Sequence, residues 1–138
     1  IQRLTYDHAG AKATLGRMLA LDPDDVTGWL DLGDLHVTTG ALAPAMEAFG
    51  TALAAARRVS DERGLSLSHS RLGDAMREAG DLPGALAAYR ASHGILVRLA
   101  AAEPGNAERQ SDLAVSHSRL GDVLTEQGDL PGALAAYR

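Results

Sequence analysis

Apolar and small residues recur along the chain with the spacing of α-helices. Leu32, Gly33 and His36 follow Trp29 at positions i+3, i+4 and i+7, which share one helix face, and Gly40 then ends the helix. A second helical stripe follows the glycine and comprises Leu42, Ala45, Met46, Phe49, Ala52 and Leu53. The pattern predicts two antiparallel helices, which we name helix A and helix B.

The same alternation of stripes and stops continues to the end of the chain and predicts an all-α fold. Aromatic residues make up only 4% of the chain, which favours closely packed helices over sheets. Seven helical segments are expected, the first as one broken hairpin: 1–5 with 7–21, then 25–39, 42–59, 62–79, 82–103, 107–127 and 130–138.

Two segments of the chain recur without change at an offset of 48 residues. Residues 80–90 recur at 128–138, and residues 68–74 recur at 116–122. A looser copy lies 40 residues before the first one, where Leu-Gly-Asp stands at 32–34. The chain is therefore expected to hold three copies of the helix pair.

These copies resemble the tetratricopeptide repeat, whose signature combines Trp, Leu-Gly, Tyr, Ala, an aromatic residue four positions later, and Pro. The first copy matches it at Trp29, Leu32, Gly33, Ala45 and Phe49, with His36 in place of the tyrosine. Ala11, Leu15 and Pro23 match the end of a preceding repeat. The resemblance implies an α-solenoid of antiparallel helix pairs forming a right-handed superhelix, similar to bacterial-type arrays with extended repeats of 40 and 48 residues.

A single repeat array is expected over residues 1–138, because this length suits one domain. Both ends are expected to cut through a longer array. The predicted divisions are the end of a partial repeat at 1–25, a repeat at 26–61, an extended repeat at 62–106 and a truncated repeat at 107–138.

Composition narrows the classes of function. The net charge of -5 argues against a nucleic-acid partner, which would require a basic stripe. The absence of cysteine excludes disulfides and thiolate metal sites and agrees with a cytoplasmic location. No apolar run approaches the roughly 20 residues of a membrane helix, so no membrane partner is expected.

No side-chain pattern indicates catalysis, a metal or a cofactor. The five histidines form no metal-binding motif. His69 and His117 stand where the first copy has Trp29, and we interpret them as packing residues rather than as a pH switch or a metal pair. Gly73 and Gly121 lie within helix A, where they allow close packing rather than phosphate binding. The chain is expected not to be an enzyme and to bind no cofactor.

The resemblance also implies a concave groove lined by helix A side chains that face away from helix B. Transferred by register, its fifteen positions are Thr27, Leu30, Asp34, Val37, Thr38, Leu67, Ser70, Asp74, Arg77, Glu78, Val115, Ser118, Asp122, Thr125 and Glu126. Asp34, Asp74 and Asp122 recur at one position and favour a basic or amide-rich partner segment. Alternatively, Asp74 and Asp122 pair with Arg71 and Arg119 three residues earlier, or are only solvated. Both interpretations stay open.

The leading functional hypothesis is a non-catalytic scaffold that binds a peptide or protein segment in this groove. One alternative is a regulatory or sensor arm of a larger multidomain signalling or effector protein. Another is a self-assembling structural element, since exposed terminal helices would favour a homo-oligomer.

Overall fold

The computed structural model describes residues 7–138, and over that range it contains seven α-helices and no strand. They are α1 His8–Leu21, α2 Val26–Thr38, α3 Leu42–Arg58, α4 Glu62–Glu78, α5 Leu82–Ala102, α6 Ala107–Glu126 and α7 Leu130–Tyr137. The all-α prediction is confirmed, and the predicted helix ends differ from the observed ones by at most one residue. The helical segment predicted at 1–5 lies outside the described residues.

The helices stack in chain order. Each helix packs against the next one, and α2 also contacts α4 across α3. The helices α2, α4 and α6 hold the helix A positions, whereas α1, α3, α5 and α7 hold the helix B positions. The arrangement is an α-solenoid, and it places the helix A residues of successive copies side by side.

Most helices begin at an Asp-x-x-Gly sequence. The aspartate accepts a hydrogen bond from the glycine N–H three residues later, at Asp7, Asp25, Asp61, Asp81 and Asp129. Asn106 caps α6 in the same way. The exception is α3, where Ala41 makes no side-chain cap. There Pro44 occupies the position of the glycine, and proline has no N–H to donate.

Glycines in the left-handed conformation end the helices that carry helix A. Gly40, Gly80 and Gly128 have φ angles of 77°, 87° and 84°. Ser60 takes the same role after α3 with a φ of 56°. The residue after each of them donates its N–H back to a carbonyl of the last helical turn, which turns the chain towards the next helix.

A glycine of helix A meets an aromatic ring of helix B in each copy. The pairs are Gly33 with Phe49, Gly73 with Tyr89, and Gly121 with Tyr137. A Cβ atom at any of these glycines would lie closer than 3.0 Å to the ring, so the absence of a side chain lets the two helices approach. Phe49 and Tyr89 are each 1% exposed and belong to the two hydrophobic clusters.

Candidate functional site

The predicted groove positions lie on α2, α4 and α6, and most of their side chains are at least partly exposed. Leu30 and Ser70 differ, with exposures of 7% and 5%. Leu30 belongs to the hydrophobic core, and the Ser70 hydroxyl forms a 2.9 Å hydrogen bond with that of Ser92 in α5. Both residues are therefore mainly packing residues, but Ser70 also lines a cleft beside Leu67 and Arg71, and Leu30 lines a smaller one beside Thr27. Their role as groove contacts stays a prediction.

Two open clefts separate the helix A elements. The cleft between α2 and α4 measures about 260 Å³, and its lining includes Asp34, Val37, Arg71, Asp74 and Glu78. The cleft between α4 and α6 measures about 190 Å³, and its lining includes Leu67, Arg71, Asp112, Val115 and Arg119. We name the exposed side of α2, α4 and α6 that contains both clefts the groove face.

The aspartates of the groove face pair with arginines of the next helix A. Nε of Arg71 donates to Oδ1 of Asp34 at 3.1 Å, and Nη2 of Arg119 lies 3.4 Å from Oδ2 of Asp74. We name these two pairs the Asp–Arg ladder. Pairing with an arginine was one of the two predicted interpretations, but its details were wrong, because each arginine reaches the previous helix A rather than the aspartate three residues later.

Asp122, the third of the recurring aspartates, has a different arginine beside it. Arg77 of α4 lies 4.0 Å from Asp122 and donates from Nε to Glu126 at 2.8 Å. At the other end of the series, Asp31 stands where Arg71 stands in the next copy. Burial raises the pKa of the Asp31 carboxyl, and the nearby Asp34 raises it further. The first copy thus has a carboxylate at the position where the second copy has the arginine of the ladder.

Tyrosines of helix B donate hydrogen bonds to two of these carboxylates. The Tyr89 hydroxyl donates to Asp74, and that of Tyr137 donates to Asp122 at 2.5 Å. Burial raises the pKa of Tyr89, and the hydrogen bond to Asp74 adds to this effect, so the hydroxyl stays a donor. Asp34 has no such donor, because its copy has Phe49 at this position. Sequence reasoning missed this bond, although both pairs are 15 residues apart.

The comparisons with known proteins agree with the repeated helix pairs. Residues 5–67 match the family model described as tetratricopeptide repeat. The chain contains tetratricopeptide repeats. Residues 68–138 carry the exact 48-residue copies and the same glycine–aromatic contacts. Tetratricopeptide repeats generally mediate interactions between proteins and are typically not catalytic.

A solved structure shows the same fold as this tetratricopeptide repeat chain. The crystal structure of the TPR domain of Arabidopsis FLU matches 81% of this chain and 87% of its own length, with a TM-score of 0.63 and 20% identity. Two crystal structures of MamA cover 95% of this chain and 85% and 79% of their own, each with a TM-score of 0.39 and 16% identity. No curated protein sequence matches the chain.

The histidines of the tetratricopeptide repeats lie mainly in packing positions. The rings of His93 and His117 meet edge to face at a centroid distance of 4.7 Å, which joins α5 to α6. Nδ1 of His93 also lies 3.2 Å from the hydroxyl of Ser116. Burial lowers the pKa of His69 and of His93, and the neighbouring His117 lowers that of His93 further.

Among residues 7–138, no three His, Cys, Asp or Glu side chains are placed to share a metal ion. Over the same residues, no helix is both long enough and apolar enough to cross a membrane.

Proposed function

We propose that this chain is a non-catalytic scaffold that binds an extended segment of another protein along the groove face. The observation that carries the proposal is the placement of partly exposed aliphatic side chains beside the ladder. Val37 lines the first cleft, while Leu67 and Val115 line the second, and Val115 is 45% exposed. Aliphatic side chains set between fixed charged groups suit the alternating side chains of an extended segment.

The exposed carboxylates of the ladder also indicate which polar groups the partner segment carries. The side chains of Asp34 and Asp74 remain 47% and 41% exposed, so their carboxylates can accept further hydrogen bonds. A basic segment would have to compete with Arg71 and Arg119 for these carboxylates. Amide groups need only the remaining acceptor positions, and they add no positive charge beside the arginines. Of the two segments predicted, the proposal therefore takes the amide-rich one.

A photo-crosslinking amino acid at position 115 tests the location of the binding face. Val97 in α5 is the matched control, because it is a valine of similar exposure, 42% against 45%, on a helix outside the groove face. Crosslinks to a co-purified protein are expected from position 115 and not from position 97. Equal yields from both positions would contradict binding at the groove face.

Synthetic peptides of equal length and equal aliphatic spacing test the partner chemistry. One series carries Asn and Gln at the polar positions, one carries Lys, and one carries Glu. The amide series is expected to bind most tightly and with little dependence on salt, because its polar side chains carry no charge. The Asp74→Asn variant should weaken that binding. Tightest binding by the Lys series, together with a steep salt dependence, would instead support the basic segment.

A further inference from the structure

The two clefts of the groove face differ in the charges of their linings. The first cleft, between α2 and α4, is lined by three carboxylates and one guanidinium, those of Asp34, Asp74, Glu78 and Arg71. The second cleft, between α4 and α6, is lined by two guanidiniums and one carboxylate, those of Arg71, Arg119 and Asp112. Acidic groups therefore outnumber basic ones in the first cleft, and basic groups outnumber acidic ones in the second.

The single carboxylate of the second cleft already has an arginine of its own. Nε of Arg63 lies 3.5 Å from Oδ2 of Asp112. Arg63 lines a different, smaller cleft, and the Asp112 side chain is only 24% exposed. Asp112 is thus held by Arg63 and does not have to pair with the two arginines of the second cleft.

These two arginines keep N–H donors that the ladder does not use. A guanidinium has five N–H groups, and the bond from Arg71 to Asp34 uses only Nε. Arg119 approaches Asp74 at 3.4 Å, which is longer than the roughly 2.7–3.2 Å of an ordinary hydrogen bond, while Asp74 accepts a closer bond from Tyr89. The side chains of Arg71 and Arg119 are 33% and 29% exposed, so a ligand in the second cleft can reach them.

A carboxylate satisfies these donors better than an amide does. Both of its oxygens accept hydrogen bonds, and bonds between charged groups are stronger than bonds between neutral ones. An amide accepts only through its carbonyl, and it would turn its own N–H groups towards those of the arginines. The second cleft therefore favours an acidic side chain, whereas an amide suffices beside the paired aspartates of the first.

The positions of the clefts set the spacing of the two side chains. Asp74 in the first cleft and Leu67 in the second are seven residues apart on α4, which corresponds to roughly 10 Å along the helix. The clefts flank α4 on opposite sides, so about one helix diameter, roughly 10 Å, separates them across it. The combined distance of roughly 14 Å corresponds to about four residues of an extended chain.

We propose that the bound segment places an Asp or Glu side chain in the second cleft, about four residues from the amide side chain in the first. The proposal rests on the function proposed above and adds the acidic residue to it. Because the two clefts prefer different side chains, they also fix the direction in which the segment lies across α4.

Four-residue pairs in synthetic peptides test the proposal. Each peptide is blocked at both ends and carries one Gln, with either Glu or a second Gln four residues before or after it. One of the two Glu peptides is expected to bind about three- to fivefold more tightly than the Gln–Gln peptide at low salt, and salt should reduce this advantage. Glu placed three residues from the Gln points to the opposite face of the strand and should lose the advantage.

An arginine variant locates the acidic side chain. Arg119→Gln should remove the advantage of the Glu peptide and leave binding of the Gln–Gln peptide unchanged, which also shows that the variant is folded. Arg109→Gln is the matched control, because Arg109 is also on α6, is 21% exposed and pairs with Glu103, away from the cleft. It should keep the advantage.

The outcomes separate this proposal from the one on which it rests. Equal binding of the Gln–Gln peptide and both Glu peptides would overturn the acidic residue and leave the amide-binding groove intact. An advantage of Glu that persists in Arg119→Gln would also overturn it, because the carboxylate would then lie outside the second cleft. If none of the peptides binds, the groove function itself is wrong.

Discussion

At single positions, the effect of a glycine depends on what its missing Cβ atom would meet. A Cβ at Gly73 would collide with the ring of Tyr89, whereas a Cβ at Gly94, in the middle of α5, would meet nothing within 4 Å. Gly73→Ala is therefore expected to lower the free energy of unfolding by about 1–3 kcal/mol through overpacking. Gly94→Ala should raise it by about 0.5–1 kcal/mol, because alanine favours the helix.

Urea denaturation of the two variants and the wild type measures this difference. Changes of the same sign in both variants would show that the ring of Tyr89 can move aside without cost. In that case the close approach of α4 and α5 would not depend on the glycine.

Whether a residue's role is set by its neighbours in the sequence or by a distant helix explains which roles the sequence could predict. The helix stops at Gly40 and Gly80 were predictable because a glycine after a helical stripe is a local signal. The burial of Leu30 and the hydrogen bond between Ser70 and Ser92 were not predictable. Both depend on how closely two helices pack, and the residues next to them in the sequence do not determine that distance.

Among the elements, α6 contributes more to the core than its copy α4 does at the equivalent leucine. The sequence pattern puts both leucines on the buried stripe of helix A and predicts a loss of about 2–5 kcal/mol for Leu72→Ala and for Leu120→Ala. In the structure, Leu120 is 6% exposed while Leu72 is only partly buried. We expect Leu120→Ala to cost about 2–5 kcal/mol and Leu72→Ala to cost less. Guanidinium chloride melts compare the two, and a larger loss at Leu72 would contradict the packing described for α6.

The contact between α5 and α6 should make stability depend on pH. Burial, and to a smaller extent His117, lowers the pKa of His93 in the folded chain below its ordinary value of 6.5. Protons then bind the unfolded chain more readily, so the free energy of unfolding should fall as pH decreases from 7.5 towards 5. His93→Gln should make this decrease smaller.

Urea midpoints of the wild type and His93→Gln at a series of pH values provide the measurement. Some dependence should remain in the variant, because burial also lowers the pKa of His69. Parallel curves for the two proteins would show that His93 does not contribute.

For the whole molecule, the Asp–Arg ladder links successive helix A elements but contributes little to stability. Its aspartates are nearly half exposed, and exposed ion pairs contribute about 0–1 kcal/mol. Asp74→Asn should therefore change the free energy of unfolding by no more than about 1 kcal/mol, and less at high salt. Thermal melts at two salt concentrations test this, and a loss above about 2 kcal/mol would indicate a structural role in the core.

The solenoid itself was predictable because two of the copies share identical segments, the first copy keeps the same key positions, and each copy contains complete helix signals. The partners within the ladder were not. Asp34 and Arg71 are 37 residues apart, and Asp74 and Arg119 are 45 residues apart. These separations follow from helix lengths and from how the helix A elements lie side by side, whereas a pattern on one helix suggested only the arginine three residues away.

The ladder has a consequence for how such a chain can grow during evolution. The sequence Arg-Leu-Gly-Asp stands at 71–74 and at 119–122. Arg71 and Arg119 each pair with an aspartate of the preceding helix A, and Asp74 pairs with the arginine of the following one. A tandem duplication of the 48-residue unit therefore creates a matched ion pair at the new junction without any further mutation. Insertion or loss of a whole unit keeps every junction complementary, so the length of the array can change while the fit between neighbours is inherited.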